Sequence, residues 1–143
     1  MSDADPDTRT VIVEREFAHP PEKLWRALTQ PHLVEEWLMK NDFAAQVGHR
    51  FNLRGDWGGV LDCEVLIVEP ERRLAYRWDF SHEDPAFDLR SVVTFTLTPA
   101  GAGTHLRMEQ AGFRPEQKQA SGGARYGWQQ FFGKLDELLA RMD

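Results

Sequence analysis

Apolar residues recur along residues 122–143 at helical spacings of three and four, at Trp128, Phe131, Phe132, Leu135, Leu138, Leu139 and Met142. The pattern predicts one C-terminal helix with a single apolar stripe. Gln129, Gln130, Lys134, Asp136, Glu137 and Arg141 fall between the stripe positions and suit a solvated face. Gly122 and Gly123 are poor helix formers, and Ser121 is the nearest N-cap candidate, so the helix is expected to begin weakly there. Adjacent bulky aromatics with a Trp one turn earlier suit a broad, concave partner better than a narrow two-helix seam.

The preceding residues supply such a partner. Val11, Val13 and Phe17 alternate along residues 10–17, and Arg15 interrupts the apolar register of that strand. Leu24, Trp25 and Leu28, then Leu33, Val34, Trp37 and Leu38, mark two short helices that Pro31 separates. Period-two segments follow. Phe51 and Leu53 lie in residues 49–54, while Cys63, Val65 and Ile67 are placed inward in residues 60–68. The clearest alternation is Leu74, Tyr76, Trp78 and Phe80; Val93, Phe95 and Leu97, then Leu106 and Met108, complete the series. The order predicts an α+β fold: a curved antiparallel six-stranded sheet, two short helices after the first strand, and a long C-terminal helix across the concave face. A cylinder does not fill a curved sheet to its ends, so a cavity is expected between them.

Length adds one domain, residues 10–143, behind a disordered tail at residues 1–9. The net charge of −6 disfavours nucleic acid and anionic membrane surfaces as partners. A single cysteine, Cys63, excludes an intramolecular disulfide and fits a reducing compartment. With neither a signal peptide nor a bilayer-length apolar run, a soluble cytoplasmic protein is expected, as a monomer or weak homodimer.

Candidate chemistry is sparse. His19, His32, His49, His82 and His105 lack the short spacings of metal ligands, so no metal or other cofactor is expected. His82, with Glu83 and Asp84, is the one local cluster capable of acid or base work, but it precedes Pro85 in a loop, and a solvated loop is the better reading. No phosphate loop, dinucleotide fingerprint or nucleophile elbow is present, and no catalytic residue is assigned. Cys63 reads as packing. Arg15 is expected to snorkel out, to pair with a carboxylate such as Glu109, or to anchor an anionic ligand group. The aromatics, Phe80 included, are sufficient in number to line a pocket as well as a core. The expected ligand-contacting set is Trp37, Trp57, Tyr76, Trp78, Phe95, Met108, Trp128 and Phe132.

Residues 18–31 (AHPPEKLWRALTQP), Trp37, Glu69-Pro70 with Leu74-Ala75-Tyr76-Arg77-Trp78, and Gly127-Trp128 together resemble the START-like or Bet v 1-like (SRPBCC) superfamily. Within it, the chain is most similar to the family homologous to the activator of the heat-shock chaperone ATPase. The resemblance covers nearly everything from Val11 onward. It implies a helix-grip fold around an apolar cavity, and hence binding of a small hydrophobic or aromatic molecule. Two alternatives come with it. One is a cyclase- or hydratase-type enzyme using the same cavity, with Asp62, His82 or Tyr76 as acid or base. The other is a chaperone-interacting module linked to stress response, as the family name suggests.

Overall fold

The computed structural model describes residues 9–56 and 58–142. Strand β1 (Arg9–Phe17) leads into two short helices, α1 (Pro21–Thr29) and α2 (Pro31–Trp37). Strands β2 (Lys40–Asn41), β3 (Arg50–Arg54), β4 (Val60–Glu69), β5 (Arg73–Phe80), β6 (Leu89–Ala100) and β7 (Gly103–Phe113) follow, and α3 (Lys118–Arg141) closes the chain. The described strands form one seven-stranded sheet in the order β1-β7-β6-β5-β4-β3-β2, with every neighbouring pair antiparallel. Helix and sheet together make the expected helix grip.

Each helix boundary near the start of the chain has a local cause. Pro21 and Pro31 open α1 and α2, where a missing N–H leaves no intrahelical bond unmade. Gln30, held extended ahead of Pro31, ends one helix and caps the next. The Trp37 indole then donates to the Ala27 carbonyl at 2.8 Å and locks the two helices together. Their buried residues, Leu24, Leu28, Val34 and Trp37, join the core formed by one face of the sheet. That face carries Val13, Phe17, Phe51, Val65, Leu74, Tyr76, Phe95, Leu106 and Met108, all nearly inaccessible to solvent.

Several expectations change. The six-stranded sheet gains β2, whose two residues pair with Leu53 and Arg54 and are too few to show a period. In β4 the register shifts between Val65 and Ile67. This bulge sets Val68 opposite the buried Leu74 and Ile67 opposite Ala75, so Val68 packs on the core in place of the expected Ile67. Helix α3 starts at Lys118, earlier than residue 122, with Gln117 at the cap position and no side-chain capping bond. Ser121 is inside the first turn, its hydroxyl donating to the Lys118 carbonyl at 3.1 Å. The helix thus runs through Gly122 and Gly123 despite their weak propensity, with Ala120 and Ala124 on either side packed against the core. Of the expected tail at residues 1–9, Arg9 is already strand and residues 1–8 lie outside the described residues, as does Asp143 at the end of the expected helix.

Arg15 also finds a different partner. It shares a face with Val13 and Phe17 on an edge strand, and its guanidinium reaches Asp136 of α3 at 3.3 Å while standing 5.6 Å from the Phe17 ring centroid. Glu109 belongs to the opposite face and pairs with Arg107 at 2.7 Å. Alternation along β7 therefore rules out the Arg15–Glu109 pair.

Candidate functional site beneath the N-terminal half of α3

Helix α3 closes on the sheet along one half only. From Trp128 onward its inward residues are large: Trp128, Phe132, Leu135, Leu138 and Leu139 are all buried. Earlier in the helix the small residues Ala120, Gly123, Ala124 and Gly127 line a cavity of about 310 Å³. That volume is near the lower end of the roughly 300–1,000 Å³ typical of small-molecule pockets. A methyl group built on Gly123 or Gly127 would meet nothing within 4 Å. The opposite wall comes from Trp78 and Phe80 on β5, Leu89 on β6, and Gln110 and Phe113 on β7.

Phe113 is in that wall because β7 contains a bulge. Thr10 pairs with Ala111 but Arg9 pairs with Phe113, so Gly112 is the extra residue. Its φ of +130° suits glycine, and a Cβ there would stand 2.3 Å from the Arg90 carbonyl oxygen. The bulge turns Phe113 onto the face that Gly112 would otherwise occupy, and Phe113 is 1% exposed.

One chain of hydrogen bonds crosses the floor. The Trp128 indole donates to Gln110 Oε1 at 2.8 Å, Gln110 Nε2 donates to Ser91 Oγ at 3.1 Å, and Ser91 Oγ donates to the Trp78 carbonyl at 2.6 Å. Chemistry fixes every direction in this chain, since an indole only donates and a carbonyl only accepts. Gln110 and Ser91 are 1% and 2% exposed, so these bonds hold buried polar groups that would otherwise be costly. The indoles of Trp78 and Trp128, 5.1 Å apart, both line the cavity.

The β5–β6 loop borders the cavity on an exposed side. It carries Phe87, which is 56% exposed and lines the cavity, and His82 stands 5.2 Å from the Phe87 ring and 5.8 Å from that of Phe80. This loop is tied to the β7–α3 connection: Gln117 Nε2 donates to the Asp88 carbonyl at 2.8 Å, and Arg114 donates to the carbonyls of Pro85 and Asp88. A larger depression, about 660 Å³, lies between Glu69–Arg73 and Thr96–Pro99. It is bordered by the charged residues Glu69, Glu71, Arg72 and Arg73, with no part of α3 in its lining.

Of the expected ligand-contacting residues, the structure brings Trp78 and Trp128 to the cavity. Trp37, Tyr76, Phe95, Met108 and Phe132 are instead closed core, none more than 3% exposed. Trp57 lies outside the described residues. Gln110, Phe113, Phe87 and the small residues of α3 were not anticipated. The signals present in the chain are the column Ala120, Gly123, Ala124, Gly127 at helical spacing, and an Ala-Gly step inside a strand.

The three candidate acid–base residues do not converge. Asp62 is on the outer face of the sheet, accepting from Asn52 at 2.9 Å. Tyr76 is in the core, where burial pushes its phenol well above the ordinary range. His82 is in the exposed loop, its Nδ1 accepting from the Asp84 N–H at 2.9 Å. Cys63 is buried, and burial, with the charges of Asp79 and Asp62, raises its thiol far from reactive values. Among the described residues, no three His, Cys, Asp or Glu side chains are grouped so as to hold a metal ion, and no helix is long and apolar enough to cross a membrane.

A curved sheet gripping a long helix, with an apolar cavity under one end of that helix, defines a ligand-binding type of fold. The family described as Activator of Hsp90 ATPase homolog 1-like protein matches residues 18–140, and the chain belongs to it. Among solved structures, protein MLL2253 from Mesorhizobium loti is similar at 72% identity and a TM-score of 0.92, over 94% of this chain and 99% of that one. DynU16, from the dynemicin biosynthetic locus, is 27% identical with a TM-score of 0.79; the match spans 95% of this chain and 48% of that protein. CalU16 from Micromonospora echinospora shares the fold at 24% identity and a TM-score of 0.78, over 95% and 80% of the two chains. No curated protein matches the chain.

Proposed function

We propose that this protein binds a small, largely apolar or aromatic molecule in the cavity between the N-terminal half of α3 and the sheet. The observation that carries this reading is the pair Gly123 and Gly127. Each replaces an alanine that the helix would accommodate without contact, and each forgoes about 1 kcal/mol of helix stability. Gly122 and Gly133 are equally free of contacts but do not line the cavity; what sets Gly123 and Gly127 apart is that they border unfilled space beside an apolar wall. Keeping that space open, walled by Trp78, Phe80, Phe113 and Trp128, is the arrangement of a binding pocket. The similarity to a protein of the dynemicin biosynthetic locus also supports small-molecule chemistry.

Cyclase or hydratase chemistry gains no comparable support, because Asp62, Tyr76 and His82 are in three separate environments. The family's name refers to an activator of a chaperone ATPase, and a shared fold does not by itself transfer that activity.

The test is a titration with an environment-sensitive hydrophobic dye, run beside denaturant melts of Gly123→Ala, Gly127→Ala and Gly122→Ala. Gly122 is also free of contacts at its would-be Cβ but does not line the cavity. All three variants should gain stability, and only the first two should bind the dye more weakly. Equal dye binding by all four proteins, or none by the native chain, would remove the reading.

A further inference from the structure

We infer that the cavity selects a neutral ligand bearing a hydrogen-bond acceptor, of the carbonyl class, next to its apolar body, and that Gln110 and Trp78 are the residues that read this atom. This rests on the cavity being a binding site. The hydrogen bonds along its floor decide what polar capacity remains. Gln110 Oε1 is turned toward the Trp128 indole, so its Nε2 points the other way, and the Ser91 hydroxyl takes one of the two Nε2 hydrogens. The second N–H of the Gln110 amide is left over, on a side chain that lines the cavity.

Trp78 supplies a second donor. Its indole N–H makes no hydrogen bond among the described residues, and no buried side-chain nitrogen or oxygen there lacks a partner. The Trp78 indole nitrogen is therefore reachable from open space, although the residue is only 7% exposed and lines the cavity. Two remaining donors in an otherwise apolar wall ask for an acceptor on the ligand.

Charge narrows the class further. No charged side chain lines the cavity among the described residues. A carboxylate bound there would be desolvated with no cation beside it, whereas a ketone, aldehyde, ester or amide oxygen is satisfied by one or two N–H groups. The volume of about 310 Å³ suits a body of one or two fused rings. Arg15, the sequence candidate for anchoring an anion, pairs with Asp136 and is not part of this wall.

Three probes on one ring system separate the possibilities: methylnaphthalene, acetylnaphthalene and naphthoate. Binding is followed by NMR through the indole N–H resonances of Trp78 and Trp128. In the native protein acetylnaphthalene should bind about threefold to tenfold more tightly than methylnaphthalene, the increment of one net hydrogen bond. It should also move the Trp78 N–H resonance downfield, and naphthoate should bind most weakly. Trp78→Phe removes ring area from the wall and so weakens both probes, but it should reduce the ratio of acetylnaphthalene to methylnaphthalene affinity toward one, which loss of ring area alone would not do. Gln110→Met should do the same; if loss of the Trp128 partner unfolds it, the native panel and Trp78→Phe decide alone. Equal affinity for the methyl and acetyl probes would overturn this inference and leave the binding reading intact. Tightest binding of naphthoate would overturn it in favour of an anionic ligand. Binding of none of the probes would remove both.

Discussion

The two halves of α3 face the same sheet with opposite strategies. The C-terminal half inserts Phe132, Leu135, Leu138 and Leu139, none more than 4% exposed, against Phe17 and the short helices. The N-terminal half presents Ala120, Gly123, Ala124 and Gly127 and leaves about 310 Å³ unfilled. Trp128 stands at the border, its ring within 5.1–6.2 Å of those of Trp78, Phe95, Phe131 and Phe132. The difference teaches that anchorage and vacancy can be divided along one helix by side-chain volume alone. Dense packing at one end supplies the stability that lets the other end stay open.

The largest test of this contrast truncates one ring in the closed core and its neighbour at the cavity. Phe132→Ala should destabilise by about 3–5 kcal/mol in a denaturant melt, as removal of a fully buried ring does. Phe131→Ala, whose ring is only partly buried at the cavity, should lose much less. Equal losses would mean that the cavity wall and the core are packed alike. Next in size is Gly112→Ala, which places a Cβ against the Arg90 carbonyl in a backbone region that L-residues avoid. It should cost about 1–3 kcal/mol and weaken probe binding by moving Phe113.

A third test uses the opposite sign. Gly127→Ala should raise stability by about 1 kcal/mol while lowering probe affinity, and a fall in stability would show that the space is already occupied.

The closed region also has a pH signature. Burial raises the folded-state pKa of Cys63, so the folded chain keeps a proton that the unfolded chain releases above about pH 8.5. Its contribution is whole below that pH and declines as pH rises further. Stability measured from about pH 8 to 10 should therefore fall, and Cys63→Ala should flatten the slope. An equally steep slope in that variant would assign the alkaline loss to other groups. The smallest effect is expected for Asp136→Ala. It removes an exposed ion pair with Arg15 and should change stability by no more than about 1 kcal/mol, with a dependence on salt.

Much of the closed half was legible in the chain. The stripe from Trp128 to Leu139 identified the buried face of α3, and the alternation Leu74, Tyr76, Trp78 identified the inner face of β5. Periodicity reports which residues leave water, and that was enough for both. It does not distinguish a residue that touches another side chain from one that borders a void. Tyr76, Phe95 and Met108 therefore read as pocket residues from their register, yet all three are packed in the core. Gln110 fell at the edge of a strand pattern, and nothing local signals that its amide sits between Ser91 and Trp128, 19 and 18 residues away along the chain.

Sequence by itself determined the order of elements, the inward faces of most strands, the two proline-opened helices and the family, because each rests on local periodicity or on residues at fixed spacing. Tertiary structure decided where that periodicity breaks: the β4 bulge that exchanges Ile67 for Val68, and the Gly112 bulge that turns Phe113 inward. It also decided where the cavity lies. A void is a property of several surfaces at once, and the small residues of α3 become a cavity wall only when the curved sheet stands opposite them.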